Sequence, residues 1–410
     1  MTFKTYNFNK IQYRLLCEQS FSSLAQSLGK WRKDFIINVL WLILSIHGKI
    51  NFLQLARYGK RGEQHYRNQF SKKFDFLAFN SAIVKAHCSK NIVIAFDPSY
   101  IPKSGKKTAG AGYFWSGCSS CALWGLEISG IAAVDLDNHT ALHLEAVQTL
   151  SKYNQTFLDL YAETLITRKT ELQKISKIIV VDAYFAKAPF VNSLTSEGFD
   201  VVCRFRDDVR LQYVIEPVKT GKRGRPKTNG GAVDVTDLDM KHFTLIEQDN
   251  ENIQIFSGIV KAVALKKKVK VCVVKNLENK KVKDIKIFFS TKLDEDAINI
   301  LNIFSHRFQI EFLYRDAKQH TGLNTCQARD VNKLHFHFNS SLTAVNIAKI
   351  VHWFSIPKHE RRAFSMKNIK VMNHNALLLE RFFTMYGINP NIPKNKKNIR
   401  ELLYYGINIA

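Results

Sequence analysis

The hydrophobic and polar positions along the chain change their period near residue 91. Before that point, apolar residues recur at helical spacing, above all over positions 35–46, and basic residues occupy the positions between them. Glycines divide this region into short helices. We therefore predict a helical region over residues 1–90, which is either a small DNA-binding module or a helical cap with a basic, solvated surface.

After residue 91 the pattern becomes one of short runs rich in β-branched residues, interrupted by two helical stretches. The predicted elements, in chain order, are strands over 91–96, 125–136 and 139–149, a helix over 153–170, a strand over 178–181, a helix over 186–196 and a strand over 199–205. Three adjacent strands followed by helix, strand, helix and strand is the order of an RNase H-like α/β sheet with mixed strand directions. We expect this fold.

The remaining chain predicts an insertion and a helical tail. Residues 207–293 are rich in β-type runs and interrupt the α/β scheme, so we expect a β-rich insertion in a catalytic domain that spans 91–330. A helix follows over 294–320. Residues 331–410 are predicted to be a helical C-terminal region that serves DNA binding or dimerisation.

Charge narrows the class of partner. Sixty Lys and Arg stand against 35 Asp and Glu, a net charge of +25, while a hydrophobic fraction of 46% excludes a disordered chain. Such an excess of positive charge favours a polyanionic partner. The longest apolar run, 35–46, is shorter than the roughly 20 residues of a membrane span. Nucleic acid is therefore the expected partner, without a membrane, and the protein is expected in the cytoplasm at the nucleoid.

The seven cysteines are scattered, and one pair has the spacing of metal ligands. Cys118 and Cys121 are separated by two serines, but no second Cys or His pair lies nearby. We predict two small core thiols at these positions in preference to a zinc site.

Two acidic residues follow predicted strands directly. Asp97 comes after the strand over 91–96, and Asp182 follows the strand over 178–181. Side chains at the ends of strands in an α/β sheet converge on a common edge, so the two acids could form a divalent-metal site. The alternative is that each one caps a helix or closes a turn.

A third acid lies on a helical face with basic residues. Phe304, Arg307, Glu311, Tyr314 and Lys318 fall on one face of the helix over 294–320. Charges on a buried face are costly unless they are used, so Glu311 could complete a trio with the two strand-end acids, while Arg307 and Lys318 reach phosphates. The alternative is a solvated face with salt bridges.

The run Phe304-x2-Arg307-x3-Glu311-x6-Lys318 resembles the Y-(2)-R-(3)-E-(6)-K motif of bacterial insertion-sequence transposases of the DDE type, in the cut-and-paste branch, with Phe in place of Tyr. Three stretches resemble the segments around the acids of that family. They are DPSYIPKSGKKTAG (97–110), VVDAYFAKAPFVNSLTSEGFDVVCRFRDDVRL (180–211) and IEFLYRDAKQHTGL (310–323).

The resemblance implies an enzyme of DNA transposition. It implies that Asp97, Asp182 and Glu311 are catalytic and hold two Mg²⁺ or Mn²⁺ ions, with Arg307, Tyr314 and Lys318 on the DNA. It further implies binding of terminal inverted repeats, strand cleavage, 3′-OH strand transfer and a homodimer in the synaptic complex. Two alternatives are a transposase-derived DNA-binding protein without cleavage and a metal-dependent endonuclease without strand transfer.

Two basic loops are further candidates for DNA contact. Lys103, Lys106 and Lys107 follow Asp97; the sequence around them lacks the first Gly and the Ser/Thr of a P-loop, so no nucleotide cofactor is expected. Arg223 and Arg225 belong to an RGRP sequence that resembles an AT-hook, in which an extended Arg-Gly-Arg enters a narrow minor groove. Solvated loops are the alternative in both places.

Overall fold

The computed structural model describes residues 8–150, 153–215, 229–249, 252–278, 281–390 and 392–408. Its helices are α1 (Phe8–Phe21), α2 (Lys30–Ser45), α3 (Phe52–Tyr58), α4 (Glu63–Phe70), α5 (Phe76–His87), α6 (Phe157–Ile166), α7 (Lys169–Leu172), α8 (Ala188–Ser196), α9 (Ala297–His306), α10 (Gln309–Asp316), α11 (Val331–Lys349), α12 (Met366–Tyr386) and α13 (Pro393–Leu403). Its strands are β1 (Ile92–Pro102), β2 (Gly112–Ser116), β3 (Cys121–Asp135), β4 (Thr140–Gln148), β5 (Ile178–Val180), β6 (Asp200–Arg204), β7 (Leu211–Val214), β8 (Asn229–Ala232), β9 (Phe243–Asp249), β10 (Ile253–Ala262), β11 (Lys267–Glu278) and β12 (Lys281–Ser290).

One mixed sheet contains all the strands that the described residues form. Its order is β2-β3-β1-β5-β6-β12-β11-β10-β7-β8, with β4 beside β3 and β9 beside β10. Strands β1, β5 and β6 run parallel, and β3 is antiparallel to β1. A mixed α/β architecture with helical regions at both ends, as the sequence predicts, is confirmed.

The residues expected to form a β-rich insertion, 207–293, continue the central sheet. Strand β12 pairs with β6 in antiparallel fashion, and β11, β10 and β7 extend the sheet from there. The sequence pattern predicts β9 to β12 but not the short strands β2, β7 and β8. The sequence of β8, Asn-Gly-Gly-Ala, has no β-branched residue, so its strand conformation depends on its pairing with β7.

Helices from both ends of the chain share one core with the sheet. The second half of α2 is buried, and α2 packs on α11 and α12. Phe336 of α11 lies 4.6 Å from Phe70 and 5.3 Å from Phe76, measured between ring centroids. No helix among the described residues has the length and apolar character needed to span a membrane.

Buried asparagines of α11 complete the free edge of β4. Within the described residues, β4 pairs only with β3. On its other side, Asn346 accepts a hydrogen bond from the His143 N–H and donates one to the His143 carbonyl, both at 2.8 Å. Asn339 makes the same two bonds with Ala146, also at 2.8 Å. Two side-chain amides therefore make the backbone hydrogen bonds that a neighbouring strand would otherwise make.

The prediction of two core thiols at Cys118 and Cys121 is wrong. Both side chains are exposed, because they lie where the chain reverses between β2 and β3. Ser120 there has a left-handed backbone, with φ of 50°. A tight turn between two strands keeps the side chains of Cys118 and Cys121 at the surface, although apolar residues surround them in the sequence.

Candidate active site

Two parallel strands bring the first two acids to one edge of the sheet. Ala95 of β1 pairs with Val180 of β5, and Asp97 and Asp182 each lie two residues further along their chains. Asp182 also caps the short 3₁₀ turn Ala183–Phe185, since its carboxylate accepts a hydrogen bond from the Tyr184 N–H at 3.0 Å. The turn-capping alternative for Asp182 therefore coexists with its position beside Asp97.

The helix expected over 294–320 is broken in the structure. It consists of α9, a link at Arg307 and Phe308, α10 and a π-helical turn, Ala317–Thr321. Glu311 lies in the first turn of α10, and the Arg307 guanidinium donates to its carboxylate at 3.2 Å. Arg307 and Phe308 keep right-handed helical backbone angles, and the N–H groups of Ile310 and Glu311 bond to carbonyls three residues earlier, so the break is a local tightening of the helix.

Arg307 and Lys318 are the cations of the site. The Arg307 side chain is largely buried, and its Nε has no hydrogen-bond partner among the described residues. Its guanidinium lies 5.7 Å from the ring of Phe304, which in turn packs 5.0 Å from Phe288. The Lys318 Nζ donates to the Ser99 hydroxyl at 2.9 Å, and Ser99 lies on β1 two residues after Asp97.

The pKa shifts show that these side chains interact. Burial raises the pKa of Asp97 to about 8; Arg307 opposes the rise, while the carboxylates of Asp182 and Glu311 add to it. Burial also raises the pKa of Asp182, against the influence of Arg307. The pKa of Lys318 is lowered by burial, with Asp97 acting in the opposite direction. The three acids and two of the predicted basic residues are thus within electrostatic range of one another, and direct contacts join Arg307 to Glu311 and Lys318 to Ser99.

Tyr314 faces the protein interior. It is 5% exposed, and its hydroxyl donates to the backbone carbonyl of Asp97 at 2.5 Å. Gly130, which pairs with Asp97 from β3, makes room for it, since a Cβ there would lie 1.8 Å from the hydroxyl oxygen. Tyr314 is therefore in contact with the backbone of an acid and not at the protein surface. Sequence reasoning missed Gly130, although an isolated Gly in a strand signals close approach.

The basic loop after β1 divides into an anchored and an exposed part. The Lys103 Nζ donates to the carbonyls of Cys326 at 2.5 Å and of Ala328 at 2.9 Å. Lys106 and Lys107 are exposed. Arg223 and Arg225 of the RGRP sequence lie outside the described residues.

The side chains present agree in kind with a hard divalent cation. Carboxylate oxygens are the ligands that Mg²⁺ and Mn²⁺ prefer, and a carboxylate whose pKa is raised by burial and by neighbouring acids is one that a cation would stabilise. Among the described residues, no three His, Cys, Asp or Glu side chains are grouped closely enough to hold a metal ion. The Arg307 guanidinium, which is paired with Glu311, supplies part of the positive charge that a metal ion would bring to these acids.

Asp97 lies within β1, which runs on beyond the strand expected over 91–96, and Asp182 follows the end of β5. Two carboxylates on neighbouring parallel strands, with a third on a helix beside basic side chains, are compatible with an enzyme of phosphodiester chemistry. The sequence matches the family model of the transposase DDE domain over residues 90–347, nearly two thirds of the chain. The protein belongs to this family. Among curated proteins, none matches it significantly.

Proposed function

We propose that the protein is a cut-and-paste DDE transposase of the YREK type with an RNase H-like catalytic core. It binds the terminal inverted repeats of its element, cleaves the DNA there and joins the liberated 3′-hydroxyl to target DNA. One observation supports this proposal: Asp182 and Glu311, from distant parts of the chain, both raise the pKa of Asp97, and Arg307, which pairs with Glu311, opposes the rise, all within the matched domain.

Each side chain has a role in that reaction. The three carboxylates would hold two Mg²⁺ or Mn²⁺ ions, which would supply Lewis-acid stabilisation of the charge that develops on the phosphodiester oxygens. Tyr314 fixes the Asp97 backbone through its hydrogen bond to the carbonyl. Ser99 orients the Lys318 ammonium, which is thereby available to a phosphate oxygen.

Arg307 is the residue best placed to respond to DNA. Its Nε lacks a partner among the residues the structure describes, and its Nη2 is shared with Glu311. The Nε atom is buried, so a phosphate oxygen would bind the guanidinium through its other N–H groups. Exposed Lys106 and Lys107 offer positive charge to the DNA backbone, and the RGRP sequence with Arg223 and Arg225 is a second DNA contact in this proposal. Bringing two DNA ends together requires two protomers, so we propose a homodimer at work.

The test uses purified protein and a supercoiled plasmid that carries the sequences flanking the gene, with Mg²⁺ or with EDTA. Excision with joined products in Mg²⁺ alone supports the proposal. Binding without cleavage would assign a transposase-derived DNA-binding protein, and nicks without joining would assign an endonuclease. Asp208→Ala serves as the matched control for Asp182→Ala, because the Asp208 side chain is 85% exposed.

A further inference from the structure

Two thiols are exposed on the turn between β2 and β3, and neither has a role in the proposed reaction. Cys118 and Cys121 are both free and exposed. Cys121 pairs with Ser116 as the last pair of the hairpin, so residues 117–120 make the whole reversal of the chain. Within it, the Ser119 N–H donates to the Ser116 carbonyl at 3.1 Å. Two surface thiols are thus held on one short, hydrogen-bonded loop.

This loop is short enough for the two sulfur atoms to meet. Cys118 and Cys121 are three positions apart, and residues at that spacing across a tight reversal have Cα atoms within about 7 Å of each other. A disulfide can join two cysteines only below roughly that separation. An exposed disulfide that closes so small a loop is of the readily reduced kind. The spacing therefore allows a reversible disulfide within the turn.

Lys318 lies near the first of these thiols. Burial lowers the pKa of Lys318, and two groups oppose this effect, the Cys118 thiol more strongly than Asp97. A neighbouring ammonium stabilises the thiolate form of a cysteine, which is the form that attacks a disulfide. Burial and the Cys121 thiol raise the pKa of Tyr100 on β1. The turn is therefore within electrostatic range of Lys318 and Tyr100, and Cys118 is the better placed nucleophile.

Cys326 is the other thiol that could compete for an oxidant. Burial acts to raise its pKa, but the charge and the hydrogen bond of His337 lower it. A thiol with a lowered pKa reacts with the same reagents, so the reactivity of the turn has to be compared with that of Cys326. Burial raises the pKa of the remaining four, which are Cys17, Cys88, Cys203 and Cys272.

We propose that Cys118 and Cys121 form a redox-active dithiol, which closes to a disulfide on reaction with a low-molecular-weight disulfide such as oxidised glutathione. The Cys118 thiolate attacks one sulfur of the oxidant, forms a mixed disulfide and expels one glutathione thiolate. The Cys121 thiolate then attacks the Cys118 sulfur and expels the second. The two expelled thiolates take up the protons that the two cysteines lose, so two thiols are oxidised and one disulfide is reduced.

The test uses reduced, full-length protein in EDTA, without DNA. The protein is treated with oxidised glutathione, quenched with acid and alkylated, and its peptides are weighed by mass spectrometry. We expect Cys118 and Cys121 to lose alkylation together, in one peptide that is lighter by two hydrogens and carries no glutathione. Stable glutathione adducts on both residues, or dimers linked through these cysteines on a non-reducing gel, would overturn the proposal.

Single variants separate the two steps of the exchange. Cys121→Ser should stop at the mixed disulfide on Cys118, because the second thiol is missing. Cys118→Ser should acquire glutathione on Cys121 about threefold more slowly, because Cys121 lacks the ammonium of Lys318 beside it. Cys326→Ser is the matched control and should close the disulfide at the wild-type rate. Loss of closure in Cys326→Ser would show that the disulfide joins other residues.

The role of Lys318 can be measured through the same thiol. Lys318→Gln should slow alkylation of Cys118 about threefold at neutral pH, since the thiolate loses its neighbouring cation. Lys283→Gln removes the same charge from an exposed position on β12 and should leave that rate unchanged. Equal rates in the two variants would reject Cys118 as the activated nucleophile.

The dithiol goes beyond the proposed function, because its reaction needs neither DNA nor a metal ion. Plasmid cleavage by the reduced protein in Mg²⁺ is therefore measured in parallel. Closure of the disulfide in a protein that neither binds nor cleaves DNA would support the dithiol and reject the proposed function. Cleavage by a protein that forms no disulfide within the turn would reject the dithiol and leave the proposed function standing.

Discussion

Half-buried Asp97 and buried Glu145 are two carboxylates whose surroundings move their pKa in opposite directions. Burial raises the pKa of Asp97 to about 8; Arg307 opposes the rise, and the neighbouring acids add to it. Burial would also raise the pKa of Glu145, yet hydrogen bonds and charges from His335 and Arg168 lower it to about 2. The fold therefore stabilises the charged form of Glu145 fully. It leaves the charged form of Asp97 poorly stabilised, so that a bound cation would be favourable there.

The same contrast extends to the uncharged polar groups around each acid. On β4, Asn339 and Asn346 satisfy backbone groups of the free strand edge. Beside Asp97, by contrast, the Arg307 Nε is buried without a partner in the described structure. Polar groups with hydrogen-bond partners stabilise a fold. Polar groups without partners, such as the Arg307 Nε beside Asp97, favour the binding of a ligand that supplies the missing partner. Substitutions near Asp97 should therefore affect the reaction, and those along β4 should affect stability.

The largest effect is expected for Asp97→Ala. Loss of one carboxylate of the trio removes a ligand that the metal-dependent step requires, so plasmid cleavage should fall below detection. DNA binding should persist, and the thermal midpoint should stay equal or rise, because a poorly compensated buried acid is removed. Near wild-type cleavage in Mg²⁺ would show that Asp97 is not part of the active site.

Asn346→Leu tests the opposite region. The substitution leaves the N–H and the carbonyl of His143 buried without partners, at about 1–3 kcal/mol for each group. We expect a loss of about 3 kcal/mol in the free energy of unfolding, measured by urea denaturation, with cleavage per folded molecule unchanged. Asn332→Leu on the same helix is the control, since Asn332 is exposed. Equal losses in both variants would contradict the edge-completing role.

Glu145→Gln should cost a similar or slightly smaller amount. It leaves the Arg168 guanidinium without its carboxylate, and breaking a buried pair costs about 3 kcal/mol. The pKa of Glu145 is lowered from 4.5 to about 2, so the unfolded chain binds more protons between these values. The stabilisation is complete above about pH 4.5 and is lost as the pH falls towards 2.

The pH dependence separates this prediction from a general loss of packing. Acid denaturation curves of the wild type should show a steeper fall in stability below about pH 4.5 than those of Glu145→Gln. Glu18→Gln provides the control, because the Glu18 side chain is 46% exposed. Parallel acid curves for wild type and Glu145→Gln would show that Arg168 and His335 do not stabilise the charged carboxylate.

The two regions also differ in how far the sequence predicts them. Asp97 and Asp182 stand directly after apolar runs, so their convergence follows from strand order alone. The asparagines of α11 carry no such signal, because Asn on a helix is normally a solvated residue and only the free edge of β4 makes burial favourable. The sequence likewise does not predict the break in the helix at Arg307, since the spacing of the motif is compatible with an unbroken helix. Local sequence patterns predict helices and strands. Which polar side chains find hydrogen-bond partners depends on residues that are distant in the sequence and close in the fold.

Tyr314→Phe is expected to have the smallest effect on cleavage and stability. It tests whether Tyr314 belongs with the residues that serve the reaction around Asp97 or with those that stabilise the fold, as along β4. Like the α11 asparagines, the tyrosine is buried, yet its hydroxyl donates to the backbone carbonyl of Asp97. Loss of one hydrogen bond should cost about 1 kcal/mol of stability. If the bond positions the acid, single-turnover cleavage at saturating DNA should also fall about tenfold, equivalent to about 1.4 kcal/mol in the barrier.

Tyr100→Phe is the matched control for that variant. The Tyr100 hydroxyl also donates to a backbone carbonyl, that of Trp124 at 2.8 Å, but it lies further along β1 from the acid. Both variants should lose similar stability, and only Tyr314→Phe should lose cleavage. Equal cleavage in the two would place Tyr314 with the structural polar groups, because a bond that merely stabilises the fold does not change the rate of folded molecules.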